Sequence, residues 1–175
     1  MASSLKPVTY FLVGQIGWFA CVLSAARGVP WMGAIPVGLA VIGHAAFAPR
    51  PSVELKFILG VTVAGGLWDS LLVRLHLLAY PSGMIAAGVA PYWIVALWAL
   101  FAAQFNTTYA WLKRRIAVAS LLGAVAGPVS FHAGASLGAL RFVQPWPATM
   151  ALVVGWAALL PLIVLLSRHW DGIRH

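Results

Sequence analysis

Charge is scarce in this chain. Only 8% of its 175 residues are charged, and just three are acidic: Glu54, Asp69 and Asp171. The single cysteine, Cys21, lies inside an apolar run, so an internal disulfide and a thiolate-built metal site are both excluded. No HExxH, CxxC, GxGxxG or P-loop pattern occurs. His44, His76 and His132 fall in three different segments, and no helix would present two of them at ligand spacing, which argues against haem and zinc. No cofactor and no metal is expected. Glu54 falls in the loop APRPSVELK and Asp171 in the polar tail, which leaves Asp69 as the one carboxylate placed inside an apolar segment. Two-carboxylate chemistry within those segments is therefore excluded.

What the chain has in excess is hydrocarbon. With 62% hydrophobic residues and a mean hydropathy of +0.94, a water-soluble domain could not cover its surface with polar groups. The net charge of +8 resembles a nucleic-acid signal. The basic residues, however, occupy loops and segment ends rather than one folded face, which suits anionic lipid and membrane topology. Membrane lipids are thus the expected partners, and nucleic acid is not.

A membrane span needs about 20 apolar residues. Six are predicted, over residues 8–26, 31–48, 57–79, 91–111, 116–139 and 146–167, with short loops and no room for a soluble domain. The expected fold is all-α, a six-helix transmembrane bundle forming a single domain over residues 1–175. The first span ends in small residues like those of a signal-peptidase site. Its apolar run is longer than a usual signal core, so it is read as a retained helix. Pro30 opens the second span, because proline is tolerated in a first helical turn. Pro81, Ser82 and Gly83 end the third.

Six spans place both termini on one side. Lys6, Arg50, Lys56, Lys113, Arg114, Arg115, Arg168 and Arg174 share that side, eight of the eleven basic residues, while Arg27, Arg74 and Arg141 take the other. The positive-inside rule then makes both termini cytoplasmic. Trp31, Trp93, Trp111, Trp146 and Trp170 fall near predicted span ends, as an aromatic belt requires.

The stretch 115–139 combines spanning length with two small-xxx-small pairs, Gly123 with Gly127 and Gly134 with Gly138. Pro128, Ser130 and His132 lie between them, polar and irregular features that a bilayer tolerates where other helices give cover. This stretch is predicted to be the central, proline-broken helix. Its glycine faces suit packing within the chain, with a second copy, or with another membrane protein.

Helical rise of about 1.5 Å per residue converts position into depth. Asp69, 13 residues past Lys56, sits about 20 Å from the cytoplasmic face. His132, 17 residues past Arg115, sits at roughly 25 Å, with Ser130 slightly shallower. These three are expected to share one layer. Gln15, His44, Gln104 and Asn106 form a second layer nearer the cytoplasm. An ionisable group at the depth of Asp69 is by default a functional candidate.

The runs GLWDSLLVRL (66–75), PYWIVALWALFAAQFNTTYAWL (91–112) and LLGAVAGPVSFHAGASLGAL (121–140), with GWFACVL (17–23), resemble in their order the bacterial membrane-protein family catalogued as domain of unknown function 2878. The resemblance covers nearly the whole chain and implies a small multi-span inner-membrane protein of proteobacterial type. Asp69, Ser70, Trp98, Asn106, Trp111, Gly127, Pro128, Gly134 and Gly138 match the family pattern, Thr107 and Phe131 depart from it, and His132 falls outside it. The resemblance supplies no activity. The residues themselves point first to a protein that binds or moves a lipid-like or small amphipathic molecule, with Asp69, Ser70, Asn106, Ser130 and His132 as candidate contacts. A lipid-modifying enzyme using Asp69 as general acid or base, and a non-catalytic subunit of a membrane complex, are the alternatives.

Overall fold

The computed structural model describes residues 2–173, and the side chains from residue 7. Arg174 and the side chain of Lys6, both used in the charge count, lie outside the described residues. The described residues form six α-helices: α1 (Ala2–Ala26), α2 (Trp31–Ala46), α3 (Pro51–Arg74), α4 (Tyr92–Thr108), α5 (Ile116–Ser136) and α6 (Pro145–His169). A 3-10 helix, Ala110–Arg114, follows α4. Two short strands, β1 (Leu78–Ala79) and β2 (Arg141–Phe142), pair antiparallel with Leu78 opposite Phe142.

Among the described residues four helices are long and apolar enough to cross a membrane: Pro7–Ala26 within α1, α3, α5 and α6. Their exposed faces carry large apolar side chains such as Ile16, Leu67, Leu121 and Val154, each more than 65% exposed, as lipid rather than water would require. At 16 and 17 residues, α2 and α4 are shorter.

The helices alternate in direction. Thr108, at the end of α4, donates to Pro7 O at the start of α1, and the amide of Arg50, before α3, donates to Gly172 O after α6. Both ends of the described chain therefore lie at one end of the bundle, here the tail end. At the other end, the ladder end, β1 pairs β2 and Ser82 donates to Ala25 O.

Helix α4 occupies the centre, packing against α1, α2 and α3 and burying Trp93, Trp98, Phe105 and Asn106. The sequence pattern predicts that role for the 115–139 stretch, but α5 packs chiefly against α6. The reason lies in the glycines. Gly123 and Gly127 give close approach to one partner: a Cβ would come within 2.2 Å of Trp156 O at Gly123 and of Trp156 Cγ at Gly127. Gly134 and Gly138 form no second helical pair. Gly138 lies beyond α5 at φ +88°, a left-handed residue of the kind that closes a helix. Nor does Pro128 break α5, which runs through it.

Helix α3 also starts earlier than the apolar run suggests. Hydropathy predicts 57–79, whereas Pro51 sits at the first helical position and carries the helix start six residues upstream. Glu54 thereby moves from a loop to the first turn of α3 and becomes fully buried. Its buried stripe, Glu54, Phe57, Ile58, Val61, Gly65, Asp69 and Leu72, follows three- and four-residue spacing. Two carboxylates thus lie on one face of one helix, about 22 Å apart along its axis.

Candidate functional site: an apolar groove and two buried carboxylates

A groove of about 590 Å³ runs between α1 and α5, floored by α4. Along α4 and its C-terminal cap the lining extends from Trp93 to Tyr109, about 25 Å, close to the depth of a bilayer core. Most of the lining is apolar, including Phe19, Leu97, Phe101 and Leu122; its polar side chains are Gln15, Asp69, Gln104, Tyr109 and Ser130, together with several indoles.

Asp69 is held at the ladder-end wall. Trp98 Nε1 donates to Asp69 Oδ2 at 2.6 Å, and the Tyr80 hydroxyl donates to Oδ1 at 3.5 Å. Both partners are neutral donors. Burial, and the adjoining Asp69 carboxylate, push the Tyr80 hydroxyl well above its ordinary pKa, so Tyr80 remains a proton donor. Trp98 is fixed on both sides. Trp156 stacks on it at 4.8 Å and 14°, and Gly65 leaves room for the indole, since a Cβ there would lie 2.0 Å from Trp98 Cδ2.

Farther along the groove, Gln104 is 6% exposed, and its Oε1 has no hydrogen-bond partner among the described residues. Leaving a buried acceptor unpaired costs about 1–3 kcal/mol. The amide lies against Gly14 of α1, where a Cβ would come 2.2 Å from Oε1. Gln15 is exposed on the same wall.

The second carboxylate belongs to a separate cluster at the tail end. Glu54 Oε1 lies 3.0 Å from His44 Nε2, and His44 Nδ1 lies 3.0 Å from the Tyr10 hydroxyl. Glu54 Oε2 accepts from Asn106 Nδ2 at 3.0 Å and from the Gly172 amide at 3.1 Å. Asn106 also donates to Trp170 O, and Lys113 pairs with Asp171 at 2.6 Å. This polar cap fastens the C-terminal tail across the starts and ends of four helices.

Of the five candidate contacts, Asp69 and Ser130 line the groove together. Ser70 donates to Gly66 O and accepts the Ala90 amide, closing the loop before α4. Asn106 turns to Glu54 instead. His132 is exposed, stacks on Phe142 at 4.3 Å and lies 3.1 Å from the Thr149 hydroxyl. The expected inner layer divides: His44 and Asn106 meet through Glu54, while Gln15 and Gln104 face the groove. Glu54 and Tyr10 were missed. Extending the α3 stripe by one turn past Phe57, with Pro51 read as a helix start, would have found Glu54.

The carboxyl at position 69 invites a direct test of what it is for. In Asp69→Leu two buried donors are stranded, at roughly 1–3 kcal/mol each. The same change removes a carboxyl that costs about 2.5–3.5 kcal/mol at this depth. The terms offset, so Asp69→Leu should unfold in detergent within about 2 kcal/mol of wild type. Asp69→Asn, which can accept from Trp98 and donate to Tyr80, should lie closer still. A loss of several kcal/mol in the asparagine variant would show that the carboxylate itself holds the fold.

Six alternating helices, four of them of spanning length and apolarity, with polar side chains gathered in a groove and two buried clusters, mark an integral membrane protein. The chain belongs to the family described as Protein of unknown function (DUF2878), whose model matches residues 7–162. No curated protein and no solved structure matches it.

Proposed function

We propose that the protein binds or moves a lipid-like or small amphipathic molecule in the groove between α1 and α5, in a bacterial inner membrane with both termini cytoplasmic. The observation that carries this reading is the unpartnered, buried Gln104 carbonyl oxygen within a mostly apolar, bilayer-deep groove. An amphiphile supplies both a chain for the apolar wall and a donor for that oxygen. In this reading α2 and α4 cross as well, at about 24 and 26 Å of helix, through slight local thinning of the bilayer and the 3-10 extension of α4.

The test is to fill the groove. Ser130→Phe places a ring between α5 and α4 without touching the tail-end cluster. Small molecules extracted from purified wild type and variant are compared by mass spectrometry, normalised to folded protein. A discrete amphiphile enriched in wild type and at least about fivefold depleted in the variant is expected, since even one methylene too many in an apolar site costs about tenfold and a phenyl ring is larger. Identical bulk lipid in both would overturn the reading.

A further inference from the structure

The groove's polar chemistry narrows its occupant, and this step rests on the groove being a ligand site. Among the described residues no lysine, arginine or histidine lines it. Asp69 already accepts from Trp98 and Tyr80, so its oxygens are engaged. Among the described residues two buried groups of the lining have no partner, the acceptor Gln104 Oε1, set against Gly14, and the donor Trp156 Nε1, in a groove that also holds the half-buried Ser130 hydroxyl and exposed Gln15. The basic residues gather elsewhere. Lys113 pairs with Asp171, Arg168 donates to Lys113 O, and Arg74 donates to Gly88 O. Arg115 reaches a lining residue, lying 5.9 Å from the Trp111 ring centroid. Trp111 is seven residues beyond Gln104, about 10 Å along the chain axis.

We infer that the groove selects an amphiphile whose polar end is uncharged and donates a hydrogen bond, in chemical class a long-chain alcohol or acylglycerol, with its hydroxyl on Gln104. An anionic headgroup seated there would be desolvated beside a carboxyl and neutral dipoles, with no cation among the described lining residues to compensate it, whereas a hydroxyl can donate to Gln104 and still accept from an indole. Neutral hydroxyl lipids are thus separated from the anionic phospholipids around them by what the groove lacks as much as by what it offers.

The experiment uses the whole protein in an uncharged detergent and three probes with one brominated alkyl chain: an alcohol, a phosphate monoester and the plain hydrocarbon. Bromine quenches indole emission on contact, and Trp18, Trp93, Trp98 and Trp156 line the groove. The alcohol is expected to quench saturably at about a tenfold lower concentration than either of the others, the scale of one buried hydrogen bond. Gln104→Leu should reduce that advantage to about twofold or less. If this variant fails to fold, the ranking of the three probes on wild type still decides. Equal saturation by all three would leave the groove a chain-binding site and overturn the neutral-headgroup inference. Tightest binding of the phosphate, lost in Arg115→Gln, would overturn it in favour of an anionic end held at the groove's mouth. No saturable quenching by any probe would overturn the inference and the proposed function together.

Discussion

Replacing Glu54 with leucine is expected to destabilise the protein by roughly 3–5 kcal/mol and to release the C-terminal tail. Glu54 accepts from Asn106 and Gly172 on one oxygen and meets His44 on the other, so leucine strands several buried polar groups at once. The offset that protects an Asp69 variant is weak here. Glu54 lies in the first turn of α3, near the bundle's end, where the insertion cost falls and the helix dipole favours a carboxylate. Its packing also leaves no slack, since a Cβ on Gly172 would come 2.5 Å from Glu54 Cβ. Glu54→Gln separates hydrogen bonding from charge. An amide can donate to His44 Nε2 while its oxygen accepts from Asn106 and Gly172, provided His44 carries its proton on Nδ1 and donates to Tyr10. Glutamine should therefore cost only about 1 kcal/mol. Thermal unfolding in detergent, with limited proteolysis of the tail, reads both effects; a glutamine variant as damaged as the leucine one would show that the cluster depends on the carboxylate's charge.

How much of this was legible in the sequence follows from what each signal measures. Composition and hydropathy report the solvent, so the all-helical membrane class and the helix count were readable from apolar runs alone. Helix starts were less so, because a hydropathy window begins where polarity ends, and α3 begins earlier, at a proline that contributes no apolar signal. That offset of one and a half turns hid Glu54, and with it the tail-end cluster. Depth arithmetic placed Asp69 and Ser130 at a common level, and both line the groove. It could not tell which way His132 faces, because the rise along a helix fixes height and not rotation. The centre of the bundle was misplaced for a related reason. Glycine spacing marks close approach to some partner, but not how many partners surround the helix, and a tryptophan from α6 fills the space that Gly123 and Gly127 leave. Large residues such as Trp98 and Phe105 crowd α4 because a helix with neighbours on several sides can bury them, a signal that aromatic density carried and glycine spacing did not.

That distinction sets apart glycines that look alike in sequence. Gly127→Ala would place a methyl 2.2 Å from Trp156 Cγ, at the root of the side chain rather than its flexible end, so the indole cannot simply swing aside. Gly123→Ala meets the Trp156 carbonyl oxygen at 2.2 Å and the α6 backbone itself must retreat. Each should cost about 3 kcal/mol, the upper part of the range for overpacking, well above the roughly 1 kcal/mol that alanine returns in helix propensity. Gly134→Ala meets only the Leu140 Cδ2 methyl at 3.1 Å, the far end of a side chain that can rotate, and should be neutral or slightly stabilising. The consequence at Gly127 reaches the groove. Trp156 stacks on Trp98, whose indole N–H holds Asp69, so a displaced Trp156 loosens the wall that positions the carboxyl on the far helix. Near-ultraviolet circular dichroism should lose the coupled signal of two indoles 4.8 Å apart in Gly127→Ala and keep it in Gly134→Ala. Equal stability and unchanged spectra across the three variants would show that α5 and α6 are not seated through Trp156, and that the groove's wall is built some other way.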